Sequence, residues 1–127
     1  MMNAHINPLK HILVVDDEPD VWPSVQLLLE DDGYIVDGAK SGAEALSVYK
    51  PGKFGMIFAD YLMPDMKGDQ LAAILKGLSP RQPVVMVTAF LENFLSSKHR
   101  LSGVDSILCK PFDVEDLRTA INRYARI

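Results

Sequence analysis

Five short apolar runs punctuate the chain: HILVV (11–15), YIVDGA (34–39), MIFA (56–59), PVVMVT (83–88) and SILC (106–109). Four of them are continuous rather than alternating, as expected of strands covered on both faces. Between the runs, apolar residues recur at helical spacing. Val21, Val25, Leu28 and Leu29 fall on one face, and that pattern stops at Asp31-Asp32-Gly33, with Gly33 as the C-cap. Ser41 and Glu44 stand at capping-box spacing at the head of SGAEALSVY. DQLAAILKGL begins at Asp69 and is closed by Gly77 and Pro80. The final segment, DVEDLRTAINRY, has Asp113 as N-cap and Val114, Leu117 and Ile121 as its stripe. The segment FLENFLSSKHRLSG (90–103) crowds Phe90, Leu91, Phe94 and Leu95 at its start, and its SSKHR centre offers little to a core; a helix is predicted there too. A strand and a helix thus alternate five times, which implies a parallel sheet with helices on both faces.

No repeat, low-complexity tract or linker interrupts the pattern, so residues 1–127 are expected to form a single domain with its core over about 10–126. At that size one core can bury roughly two thirds of the surface that the unfolded chain exposes. The composition is 48% hydrophobic and 24% charged, ordinary for a globular domain. The net charge is −4 and the Lys and Arg residues are scattered, which argues against direct nucleic-acid binding. One cysteine, Cys109, forbids an internal disulfide and suits a reducing cytoplasm. The opening MMNAHINPLK has no apolar core of a leader peptide, and no apolar run approaches the roughly 20 residues of a membrane span. A soluble, cytoplasmic protein with no membrane contact is expected. Cys109 reads as a small core residue, and His5, His11 and His99 share no metal-binding spacing.

The chemistry lies where the strands end. MIFADYLMPD (56–65) runs from a dry strand straight into a carboxylate, Asp60, that has no local partner. In a parallel sheet, ligands bind beyond the carboxyl ends of the strands. The first strand ends in Asp16-Asp17-Glu18, the third in Asp60, the fourth in Thr88 and the fifth in Lys110-Pro111. Only the second, expected at an edge, ends without a reactive group. Three carboxylates brought within several ångströms repel unless a cation intervenes. A hard divalent ion with oxygen ligands answers that, and Mg²⁺ takes one or two carboxylates plus waters and a phosphate. Lys110 adds a compact charge for a carboxylate or phosphoryl oxygen, and Thr88 a hydroxyl. An Asp beside such cations can attack phosphorus and form an aspartyl phosphate.

Each residue alone has a plainer reading. Asp60 would then be a turn or N-cap residue, and Asp16 to Glu18 a helix start favoured by the dipole. Lys110 would be a surface charge and Thr88 an ordinary strand residue. Asp65, Lys67 and Asp69 read as loop charges and a helix start. The ordered pattern on four strands is what points to a site.

ILVVDDEP, FADYLMPDMKG, VMVTA and GVDSILCKPF resemble the motifs of response-regulator receiver domains of two-component signalling, of the chemotaxis-regulator kind. The resemblance covers about residues 10 to 126. It implies an α/β (βα)₅ flavodoxin-like three-layer sandwich with a parallel five-stranded sheet in order 2-1-3-4-5. It implies Mg²⁺-dependent transfer of a phosphoryl group from a sensor histidine kinase or phosphotransfer protein to Asp60. Asp16, Asp17, Asp60 and the backbone carbonyl of Leu62 would hold the Mg²⁺. Thr88 and Lys110 would contact the phosphoryl group, and the Lys110-Pro111 bond would be cis. Such a domain is a switch rather than an enzyme, catalysing only its own phosphorylation and dephosphorylation. Its signal would pass to a downstream protein or output domain, or to a dimer formed on phosphorylation. The surface that switches would lie on the fourth helix, fifth strand and fifth helix, with Phe90, Leu91, Phe94 and Leu95 partly facing solvent.

The sequence departs from that family's pattern in three places. Ile107 stands where an aromatic residue usually rotates inward. Leu62 and Phe90 occupy the positions that tune loss of the phosphoryl group, and neither can hydrogen-bond a water, so a long-lived phosphorylated state is expected. The fourth helix also lacks the usual small-residue pattern. Other functions fit less well. An aspartyl-phosphate phosphohydrolase needs a second acid two residues after the nucleophile and a cap domain, but that position is Leu62. A flavin- or nucleotide-binding module needs a Gly/Ser/Thr-rich phosphate loop after the first strand, but DDEPD repels phosphate. A receiver used only for docking would lack a site residue, and none is missing.

Overall fold

The computed structural model describes residues 10–18, 21–89 and 103–124; side chains are described for all of these except Val21 and Trp22. The elements are β1 (His11–Val15), α1 (Val21–Asp31), β2 (Ile35–Ala39), α2 (Gly42–Val48), β3 (Met56–Asp60), α3 (Gly68–Leu78), β4 (Val84–Thr88), β5 (Ser106–Cys109) and α4 (Val114–Tyr124). The helix expected over 90–103, with Phe90, Leu91, Phe94 and Leu95, lies outside the described residues apart from Gly103. The strands form one parallel sheet in the order β2-β1-β3-β4-β5.

Alternation along the strands builds two cores, one on each face. Leu13, Val15, Ile57 and Ala59 point to one face and meet Ala45 of α2 and Leu71 and Leu75 of α3. Ile12, Val14, Met56, Phe58, Val85 and Val87 point to the other and meet Val25 and Leu29 of α1 and Leu117 and Ile121 of α4. Both faces being covered is why these strands are continuous apolar runs. Each fully buried Leu or Ile stabilises the fold by roughly 1.5–3 kcal/mol of removed apolar surface.

The helix ends follow local chemistry. Ser41 Oγ accepts from the Glu44 amide at 3.0 Å, the expected half of a capping box; Glu44 itself reaches the Lys40 amide at 3.3 Å instead of Ser41. At α4 the exchange is reciprocal. The Asp116 amide donates to Asp113 at 2.9 Å and the Asp113 amide to Asp116 at 3.0 Å. Gly33 turns with φ +93, a conformation in which a side chain would be strained. Three expectations need correction. Leu28 is 38% exposed, because the inner stripe of α1 runs through Val25 and Leu29. α3 continues through Gly77 and ends at Leu78, with Ser79 as its cap. Cys109 is exposed, because it ends an edge strand that has a neighbour on one side only.

Candidate functional site at the carboxyl edge of the sheet

The strand order places β1, β3, β4 and β5 side by side in one contiguous run, with β2 at the outer edge. Because all run parallel, Asp16, Asp60, Thr88 and Lys110 emerge at one edge. The register pairs Val15 with Ala59, Asp60 with Val87 and Thr88 with Cys109, so the reactive residues arrive at nearly the same height. Asp60, Thr88 and Lys110 line a cleft of about 430 Å³ together with Asp17, Glu18, Leu62 and Ala89. Three of the polar residues are nearly inaccessible: Asp16 is 3%, Asp60 6% and Thr88 2% exposed. The Lys110-Pro111 bond is cis, as expected.

Lys110 is the hub. Its Nζ lies 3.1 Å from Asp60 Oδ1, 3.4 Å from Asp16 Oδ2 and 3.7 Å from Glu18 Oε1. The Glu18 amide donates to Asp16 Oδ1 at 2.9 Å and so fixes the turn that carries the acids. Asp16, Asp17 and Asp60 each present a carboxylate oxygen, and the three lie within 4.8 Å of one another. One ammonium thus meets three carboxylates, those of Asp60, Asp16 and Glu18, and Asp17 adds a fourth negative charge beside Asp16 and Asp60. The imbalance shifts the proton affinities of the site. Burial, then repulsion from Asp16, push the Asp60 carboxyl up to about 6 against the pull of Lys110. Burial likewise raises Asp16, and the Glu18 amide and Lys110 offset only part of this. Burial opposes the charge on Lys110, but Asp60 and Asp16 together outweigh it and hold its pKa above the ordinary value. A hard dication fits this donor set: all oxygen, anionic, open on the cleft side, and short of positive charge.

The segment after Asp60 is pinned at both ends. The Tyr61 amide donates to the Val87 carbonyl, and the Gly68 amide to the Tyr61 carbonyl, each at 2.8 Å. A side chain at Gly68 would put its Cβ 2.5 Å from the Asp60 carbonyl oxygen, so only glycine lets α3 start this close to the strand end. Within the segment, Leu62 is 43% exposed at the cleft. The sequence pattern places Glu18 at the end of the first strand without giving it a partner; in the structure its carboxylate lies beside Lys110. Asp65 reads from that pattern as a loop charge only. Asp65 in fact accepts amide hydrogens from Gly42 and Ala43 of α2, and no local pattern links residues so far apart. Ile107 is half-buried on β5. Phe90 lies outside the described residues. Among the described residues no helix is long and apolar enough to cross a membrane.

Comparison with known proteins agrees with this architecture. Residues 12–122 match the family described as the response regulator receiver domain. Over 112 residues, 88% of this chain, the sequence is 37% identical to the transcriptional regulatory protein GlrR of Escherichia coli; the chain spans about a quarter of that protein, 25% of its length. A CheY-like response regulator receiver domain protein from Methanospirillum hungatei superposes with a TM-score of 0.79 at 33% identity, covering 90% of this chain and 91% of the other. The response regulator TrrA of Thermotoga maritima, in complex with Mg²⁺-BeF, gives 0.80 at 26% identity and covers 91% and 98%.

Proposed function

This chain belongs to the response regulator receiver family, with its five-stranded flavodoxin-like fold, and on that premise we propose that it is a phosphorylation switch whose phosphoacceptor is Asp60. The observation that carries the reading is the meeting of three carboxylates, one hydroxyl and one ammonium on four adjacent strand ends, with Asp60 buried at their centre. Asp16, Asp17, Asp60 and the Leu62 carbonyl would hold Mg²⁺, the ion named with TrrA. When bound, Mg²⁺ supplies the counter-charge that lets the three acids stay ionised together and that draws charge from phosphoryl oxygens.

The chain's own groups do the rest. A carboxylate oxygen of Asp60 attacks the phosphorus of a phosphohistidine. The P–N bond breaks, its electron pair returns to the imidazole, and an acyl phosphate is left on Asp60. Once that carboxylate is phosphorylated, the Lys110 ammonium, now 3.1 Å from Asp60 Oδ1, pairs with a phosphoryl oxygen. Thr88, at the end of β4, turns its hydroxyl to another. Leu62 borders the cleft with a side chain that can neither activate nor orient a water. The acyl phosphate is therefore long-lived, and the protein is a switch rather than a phosphatase.

The phosphoryl donor is a sensor histidine kinase or phosphotransfer protein. The output is a downstream protein, an attached domain or a dimer formed on phosphorylation, and the setting is the cytoplasm. Residues 1–127 form the receiver unit. The test is uptake of phosphate from acetyl phosphate with Mg²⁺. The wild type should gain a hydroxylamine-sensitive label that Asp60→Asn lacks.

A further inference from the structure

We propose that Asp65 is a positioning residue for the cation site: its carboxylate straps the segment that follows Asp60 to the first turn of α2 and so holds the Leu62 carbonyl in place. The inference rests on the cation site of the proposed function. It starts from two hydrogen bonds. Asp65 Oδ1 accepts from the Gly42 amide at 3.1 Å, and Oδ2 from the Ala43 amide at 2.8 Å. Both donors are leading amides of a helix, which have no partner within it. The third, at Glu44, goes to Ser41. Those amides, Ala43 first, hold the Asp65 carboxyl below the usual carboxylate range, so it is ionised at neutral pH.

Packing reinforces the strap. Met66 fills the space in front of Gly42, where any side chain would put its Cβ 2.4 Å from Met66 Cγ. Between Tyr61 and Gly68, whose backbone bonds pin the ends, Met63 is buried in the core beneath α2 and α3. Leu62 therefore sits between the pinned Tyr61 and a stretch that Met63, Asp65 and Met66 must hold. Asp65 supplies the described side-chain hydrogen bonds from that stretch to another element. Coupling of this kind is reciprocal. α2 spans seven residues, too few to be stable by itself. Whatever orders the Leu62 carbonyl should also protect the Gly42 and Ala43 amides.

The experiment is a Mg²⁺ titration of the whole chain, read by tryptophan fluorescence and by the Mg²⁺-induced rise in Tm, on the wild type, Asp65→Ala, Asp65→Asn and Ser41→Ala. Circular dichroism of each metal-free variant checks that it folds, and Asp65→Asn serves if Asp65→Ala does not. Ser41→Ala removes a cap from the same helix end without touching residues 61–67, so it controls for a merely structural loss. Asp65→Ala should weaken Mg²⁺ binding about ten-fold, the lower end for outer-shell partners of a metal site. Asp65→Asn, with one acceptor left, should fall between, and Ser41→Ala should match the wild type. Hydrogen exchange at Gly42 and Ala43 should slow on adding Mg²⁺ in the wild type and not in Asp65→Ala. A normal wild-type titration with Asp65→Ala unchanged, or with Ser41→Ala weakened equally, overturns the strap alone. A wild type that shows no Mg²⁺ response overturns the cation reading and the strap with it.

Discussion

Replacing Asp60 with Asn should stabilise the metal-free protein, although it removes the proposed phosphoacceptor. The Asp60 carboxyl titrates near 3.8 when unfolded and is pushed up to about 6 in the fold by burial and then by Asp16. The folded state therefore holds the proton longer than the unfolded one. Its stability contribution is present below pH 3.8 and is lost as pH rises through about 6. At 1.36 kcal/mol per unit, keeping Asp60 charged costs about 3 kcal/mol. Asn keeps the shape without the charge, and because that cost is already net of the pull of Lys110 at 3.1 Å, a gain of about 3 kcal/mol is expected at about pH 8. For a domain of this size that raises Tm by roughly 9 °C. Thermal unfolding in EDTA, followed by circular dichroism from about pH 4 to pH 8, measures it. The two proteins should coincide at the acid end, where Asp60 is protonated, and diverge upward. Mg²⁺ at about twenty times its Kd should return about 1.8 kcal/mol to the wild type and narrow the gap. A variant less stable than the wild type at about pH 8 in EDTA would refute the idea that Asp60 is a strained, buried charge.

Two further outcomes follow from the same geometry. Asp17 is exposed at the cleft mouth and lies within reach of Asp16 and Asp60, so Asp17→Ala should weaken Mg²⁺ binding at least ten-fold with little change in the metal-free Tm; tight binding retained after losing both Asp16 and Asp17 would contradict their placement as ligands. Leu62→Asn puts a hydrogen-bonding group at the cleft and should shorten the lifetime of the phosphorylated protein several-fold, measured as decay of label; an unchanged lifetime would remove Leu62 from control of water access.

Much of this was legible in the order of residues. Continuous apolar runs at 11–15, 56–59 and 83–88 announced strands covered on both faces, and the two-sided core explains why. The alternation of strand and helix implied a parallel sheet, and a parallel sheet brings strand ends to one edge. That single inference gathered Asp16, Asp17, Asp60, Thr88 and Lys110. What escaped lies at longer range or finer grain. Leu28 and Leu29 are adjacent in a helical pattern, and only the packing of α1 on the sheet decides that Leu29 is the buried one. Cys109 has the character of a core residue, but an edge strand leaves it exposed. The contact of Glu18 with Lys110 depends on the turn after β1, and the strap from Asp65 to α2 on how two loops meet. Neither leaves a periodic trace in the chain.

The most direct test of the account is the site of the phosphoryl group. The protein is treated with acetyl phosphate and Mg²⁺, the acyl phosphate is trapped by borohydride reduction, and the modified residue is found by peptide mass spectrometry. The reading predicts reduction at Asp60 alone, dependent on Mg²⁺ and absent from a folded Asp60→Asn variant. Full labelling of Asp60→Asn, or a label confined to Asp16, Asp17 or another residue in the wild type, would contradict it.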